Sequence, residues 1–203
     1  MKIIFCYADS PREWNSSYYR SYLPAAEIDQ LGPLEGIQSR LMPLQQFANP
    51  DEDRLQMLEG ADVIVVERNF FGGVLAAMEK WKRAGKLIVA DFDDAYNLMT
   101  DDNPAYPFWV MGISEAGPLQ FHPLAQFMTG LTIAGLVTPA SVQLQEDWSA
   151  SNPKMKAIPN YPSMRELPPA RRHKDFVRIG WGGSGTHYQS FVLSGILPAL
   201  ARI

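Results

Sequence analysis

The chain has 203 residues, 46% of them hydrophobic and 20% charged, a globular composition that excludes a disordered, collagen-like or disulfide-scaffold protein. Eighteen Lys and Arg against 22 Asp and Glu give a net charge of -4, which argues against nucleic acid as a partner. The single cysteine, Cys6, permits no internal disulfide and no Cys-rich zinc site, so a reducing, cytoplasmic setting is expected.

Residues 2–7 are a short apolar run that ends in Ala8-Asp9-Ser10-Pro11-Arg12 without a cleavage-type site, and they read as a first strand rather than a signal peptide. No apolar stretch reaches the roughly 20 residues that span a bilayer. After a polar loop, Tyr18, Tyr22, Leu23 and Ala26 recur at helical spacing, with Ser16 or Ser17 as the expected N-cap. Pro24 should kink or divide that helix. Arg20 is not explained by packing, and its expected place is the mouth of a ligand crevice, where it would suit an anionic acceptor or a diphosphate.

Residues 62–67 and 86–91 are further β-branched apolar runs, and residues 39–43, 135–138 and 154–158 are weaker strand candidates. Residues 70–85 carry Leu75, Met78 and Trp81 at helical spacing and stop at Gly85. Alternating strand and helix argues for an α/β fold, a parallel sheet with flanking helices. Ligands of such sheets bind beyond the carboxyl ends of the strands, which directs attention to residues 9–17, 67–73, 91–100 and 182–187, and within them to Glu67-Arg68-Asn69 and Asp91-Phe92-Asp93-Asp94. Glu67 and Arg68 would contact a sugar or other polyol, or pair with each other or with Asp93. The aspartates could hold a divalent metal, supply a general base, or cap the next helix. Alternation would put Asp91 and Asp93 on one side and Asp94 on the other.

Residues 101–122, rich in Asn-Pro, Tyr-Pro and Gly-Pro steps, read as a long surface excursion of the kind used as a binding lid. Residues 159–175 combine Pro159, Pro162, Pro168 and Pro169 with four basic residues and read as a semi-rigid linker. A strand at residues 176–181 follows, then Gly182-Gly183-Ser184-Gly185-Thr186 and a helix from about His187. That turn either cradles a phosphate or is simply a tight strand-to-helix connection. It matches neither the Walker spacing nor the dinucleotide fingerprint. His122, His173 and His187 are scattered, no metal site is expected, and Cys6 reads as a core residue.

Taken in order, Tyr19-Arg20, Leu23-Pro24-Ala25, residues 62–68, residues 91–94, residues 135–141, Ile158-Pro159-Asn160 and residues 179–187 resemble the group 1 glycosyltransferases of GT-B fold. The resemblance covers essentially the whole chain. It implies a Rossmann-like acceptor-side domain at residues 1–158, the linker, and at residues 176–203 the start of a truncated nucleotide-sugar-binding domain. It further implies an enzyme that moves a sugar from a nucleotide-sugar co-substrate to a hydroxyl acceptor, which could be a sugar, a lipid-linked molecule or a protein, without a bound cofactor or metal. Peripheral membrane contact is left open. Glu67, Arg68, Asp93, Asp94 and Arg20 would lie on the acceptor side, and Gly182, Gly183, Ser184 and Thr186 would approach the donor phosphates. Catalytic residues are expected beyond Ile203, and the isolated chain is expected to be inactive. The sequence departs from the family at Asn160-Tyr161-Pro162, where Asn-Gly is common, and at Gly185, where proline is common. The competing reading is a non-catalytic module that binds carbohydrate or a partner protein.

Overall fold

The computed structural model describes residues 1–10, 15–161 and 188–202. A five-stranded parallel sheet organises the first 161, in the order β2 (Gln38–Pro43), β1 (Lys2–Tyr7), β3 (Val63–Glu67), β4 (Leu87–Phe92), β7 (Leu136–Pro139). The architecture is Rossmann-like. The chain runs outward from β1 to β2 and then returns to β3 on the other side of β1. Right-handed crossovers therefore place the two sets of helices on opposite faces and open a crevice between the carboxyl ends of β1 and β3.

Apolar alternation decides what each face packs against. Ile4, Cys6, Ile64, Val66, Ile88 and Ala90 point to the face that holds the main core. That face is covered by α2 (Leu44–Ala48), α3 (Glu52–Glu59), α4 (Gly73–Arg83) and α6 (Pro123–Ile133), through Phe47, Leu58, Met78, Trp81, Phe127 and Leu131. Phe127 is the hub: its ring lies 5.1 Å from Phe70, 5.3 Å from Phe92, 5.0 Å from Tyr96 and 5.3 Å from Trp148. Each such fully buried ring contributes about 1.5–3 kcal/mol.

The opposite face, with Ile3, Phe5, Val63, Val65 and Val89, meets α1 (Leu23–Glu35) and a π turn at Tyr18–Tyr22. Pro24 explains that pairing. It has no N–H to donate to the Arg20 carbonyl four residues back, so the α ladder cannot run through it. The Leu23 N–H instead reaches Tyr18 O, the wider π register, and Pro24 sits in the first turn of α1, where its missing donor is harmless. The expected N-cap at Ser17 makes no side-chain cap bond, because Glu67 draws its hydroxyl away. Asn15 serves the turn instead, accepting from the Tyr18 N–H at 3.1 Å.

Helix α4 begins at Gly73, after residues 67–71 wound into successive tight turns: Asn69 N–H to Glu67 O, Phe70 N–H to Arg68 O, Phe71 N–H to Asn69 O. The weak strand expected at residues 154–158 is an extended edge alongside β7, bonded through Lys154, Lys156 and Ile158 but forming a formal bridge only at Met155. The excursion at residues 101–122 is more structured than a plain loop. It contains α5 (Tyr106–Trp109) and a small hairpin of β5 (Ile113–Ser114) and β6 (Gly117–Pro118), and Trp109 anchors it by stacking on Tyr96 at 4.0 Å. His122 is accounted for as the N-cap of α6, with its other ring nitrogen 2.9 Å from Val110 O. After β7 come α7 (Val142–Trp148) and, further on, α8 (Tyr188–Leu193) and α9 (Ile196–Leu200), so the helix expected from about His187 is broken at Gly195. The strand expected at 176–181, most of the linker, and Gly182, Gly183, Ser184 and Thr186 lie outside the described residues. No described helix is long and apolar enough to cross a membrane.

Candidate functional site

Strand alternation places Glu67 and Asp91 next to one another, in register on β3 and β4, at the carboxyl edge of the sheet face that carries the π turn. Two carboxylates buried to 1% and 4% exposure need partners. The π turn delivers them. Arg20 points inward, 5% exposed, and grips Asp91 through Nε at 2.8 Å and through Nη2. Its remaining donors go to Thr138 O at 2.7 Å, Ile158 O and Asn160 Oδ1 at 3.2 Å. A guanidinium has five N–H groups, and all five are engaged. The expectation that Arg20 stands at the crevice mouth is therefore corrected: it is a clamp that ties the π turn to β4, β7 and residues 158–160, with no donor left for an acceptor. Thr138 Oγ1 adds a bond to Asp91 at 2.5 Å. Burial pushes the Asp91 carboxyl up against the pull of Arg20 and Thr138. Burial also opposes the charge on Arg20, but Asp91 outweighs it and raises the guanidinium. With its oxygens spent on this clamp, Asp91 does not act with Asp93 as a metal pair, and no cluster of three His, Cys, Asp or Glu gathers among the described residues.

Glu67 is held by Ser17 Oγ at 2.9 Å, Ser21 Oγ at 3.2 Å, the Ala8 N–H at 3.2 Å and Arg68 Nη1 at 3.2 Å. Burial still pushes its carboxyl up, more than Arg68 and Ser17 pull it down. Arg68 spans from Glu67 to Asp9, which joins the ends of β3 and β1 across the crevice. Its backbone is in the left-handed region at φ 30°, a conformation that costs a side-chain-bearing residue about 1–3 kcal/mol and collects at functional sites. The strain is held in place by the Arg68 N–H to Asp91 O bond at 2.7 Å and the tight turn that follows. Burial works against the Arg68 charge, yet Glu67, Tyr96, Asp9 and Asp93 together raise it.

Beside this ion cluster, two polar atoms are buried without a hydrogen-bond partner: Asp93 Oδ1 and Tyr96 Oη. Tyr96 is 2% exposed, and burial, reinforced by Asp94, pushes its phenol well above the ordinary value, so it keeps its proton and is a hydrogen-bond donor. Trp148 Nε1 is likewise unpartnered, within the aromatic core against Phe92 and Phe127. Unsatisfied buried groups cost about 1–3 kcal/mol each and are uncommon in native folds. Asp93 Oδ1 and Tyr96 Oη thus lie enclosed and unpaired next to a strained arginine at the carboxyl edge of the sheet.

The structure brings together Glu67, Arg68 and Asp93, with Asp94 exposed just outside, and removes Arg20 and Asp91 to the interior. Strand β4 ends at Phe92, so alternation does not extend to Asp93 and Asp94 as expected. Ser17 and Tyr96 fall in segments that follow strand ends but were not singled out there, Ser17 being expected as an N-cap; Ser21 and Thr138 were not legible as site residues. Cys6 is fully buried, and burial raises its thiol far above the ordinary value, as a core residue requires. No protein-family model matches the chain, and no curated protein matches it.

Proposed function

We propose that the sheet formed within residues 1–161 is the acceptor half of a glycosyltransferase, in which the carboxyl-edge crevice holds a hydroxyl acceptor while a nucleotide-sugar is presented by residues beyond 176. The observation that carries this reading is the pair of unpartnered buried atoms, Asp93 Oδ1 and Tyr96 Oη, beside the Arg68 cluster. A sugar hydroxyl both donates and accepts. Hydroxyls of a sugar would donate a hydrogen bond to Asp93 Oδ1 and accept one from Tyr96 Oη, which would satisfy these groups. In the transfer itself the bond from the anomeric carbon to the diphosphate breaks, the bond to the acceptor oxygen forms, and the acceptor proton leaves to a base. Holding the hydroxyl between two fixed groups orients that oxygen. Gly182, Gly183, Ser184 and Thr186 would meet the departing diphosphate.

The reading is tested by amide-resolved NMR titration of the 203-residue chain with simple sugars and, separately, with UDP, GDP and their sugars, with and without magnesium. The expected result is that sugars shift residues around Arg68 and Tyr96, while nucleotides shift residues 180–187 independently of magnesium. Sugar shifts with no nucleotide response would replace the transferase reading with the carbohydrate-binding module. Magnesium-dependent nucleotide binding lost in Asp93→Asn would point to a single-domain metal enzyme.

A further inference from the structure

Both faces of a parallel sheet are ordinarily covered, yet on the face opposite the main core Ile3, Val63 and Val65 remain only half-buried. Between α1 on one side and residues 158–161 on the other lies a cavity of about 630 Å³. Its floor is Ile3, Phe5, Val63, Val65 and Val89, and its walls include Leu23 and Ile158. The strands of the floor are paired on both sides, so their backbone groups are taken. At the carboxyl end the groove closes on the Arg20, Asp91 and Thr138 clamp, whose hydrogen bonds are complete. An occupant is thus offered mainly apolar contact, with Tyr19, Glu27 and Tyr161 as the other polar side chains of the lining.

The same clamp fixes the width of the groove. Arg20 belongs to the π turn that leads into one wall, and it bonds Ile158 O and Asn160 Oδ1 in the other. The cavity is preformed, and its size lies in the range of about 300–1,000 Å³ occupied by small ligands. Glu27, half-buried in the lining, adds negative charge that disfavours an anionic ligand.

We propose that this groove binds the aliphatic chain of a neutral amphiphile, with its polar head left in water. The proposal goes beyond the transferase reading and stands without it, because the groove and the crevice are separated by the Arg20 clamp. The test is calorimetric titration of the 203-residue chain with hexyl and octyl glucoside below their micelle concentrations, against free glucose. Each buried methylene is worth about 0.8 kcal/mol, so octyl should bind roughly 15-fold more tightly than hexyl, at one site. Val65→Trp, which fills the floor, and Ile158→Asp, which places a charge on a wall residue that is 48% exposed, should each weaken octyl glucoside at least about tenfold without changing any response to glucose. Ile158→Asp tests the site even if Val65→Trp fails to fold. Affinity independent of chain length, or unaltered in a folded variant, would overturn the proposal. So would a concentration-dependent dimer that Ile158→Asp dissolves while alkyl binding is absent, since the occupant would then be a second copy.

Discussion

Arg20 and Asp91 are complementary charges that water does not reach, at 3% and 6% side-chain exposure. Truncating one strands the other, which typically costs about 3–5 kcal/mol. Arg20→Ala is therefore expected to lose that much in urea unfolding, with the π turn and residues 158–160 released from β4 and β7. Glu67 makes a different prediction. Burial holds its carboxyl above 4.5, so the folded chain keeps this proton to higher pH than the unfolded chain does. Stability from the group is complete below the unfolded value and declines as pH rises through the folded one. Glu67→Gln removes that decline. Melting curves from roughly pH 4 to 7 should show the variant gaining on the wild type as pH rises. Sequence marked these two carboxylates as special because each ends an apolar strand. It did not reveal their partners, since the pairing of Arg20 with Asp91 spans 71 residues and depends on a local π register.

At the scale of elements, most of the sheet was readable and the loops were not. Strands β1, β3 and β4 stand out because parallel strands buried on both faces are continuous apolar runs. The excursion at residues 101–122 was legible only as an irregular stretch, because its order comes from Trp109 stacking on Tyr96, a contact no local pattern announces. The meeting of α6 with the loop after β3 shows how closely elements approach. A Cβ on Gly130 would lie 2.4 Å from Phe70 Cβ, a distance that forces backbone or core to move. Gly130→Ala should destabilise the fold by about 1–3 kcal/mol, although alanine is the better helix former. An unchanged denaturation midpoint would mean that α6 does not pack on Phe70 as described.

Across the whole molecule, the chain separates two surfaces that one sheet generates. Its carboxyl edge gathers acids, serines and a strained arginine into a polar crevice, and its less covered face forms an apolar groove, with the Arg20 clamp between them. The central claim is that Tyr96 Oη and Asp93 Oδ1 are left unpaired for a hydroxyl ligand. Tyr96→Phe tests it most directly, through sugar binding by calorimetry and thermal stability measured on the same protein. Removing an unsatisfied buried hydroxyl is neutral or stabilising for the fold, while losing its hydrogen bond to the ligand costs about 1.4 kcal/mol, or tenfold. An unchanged or higher melting temperature together with about tenfold weaker sugar binding is expected. Sugar binding as tight as in the wild type, or none in the wild type, would contradict it.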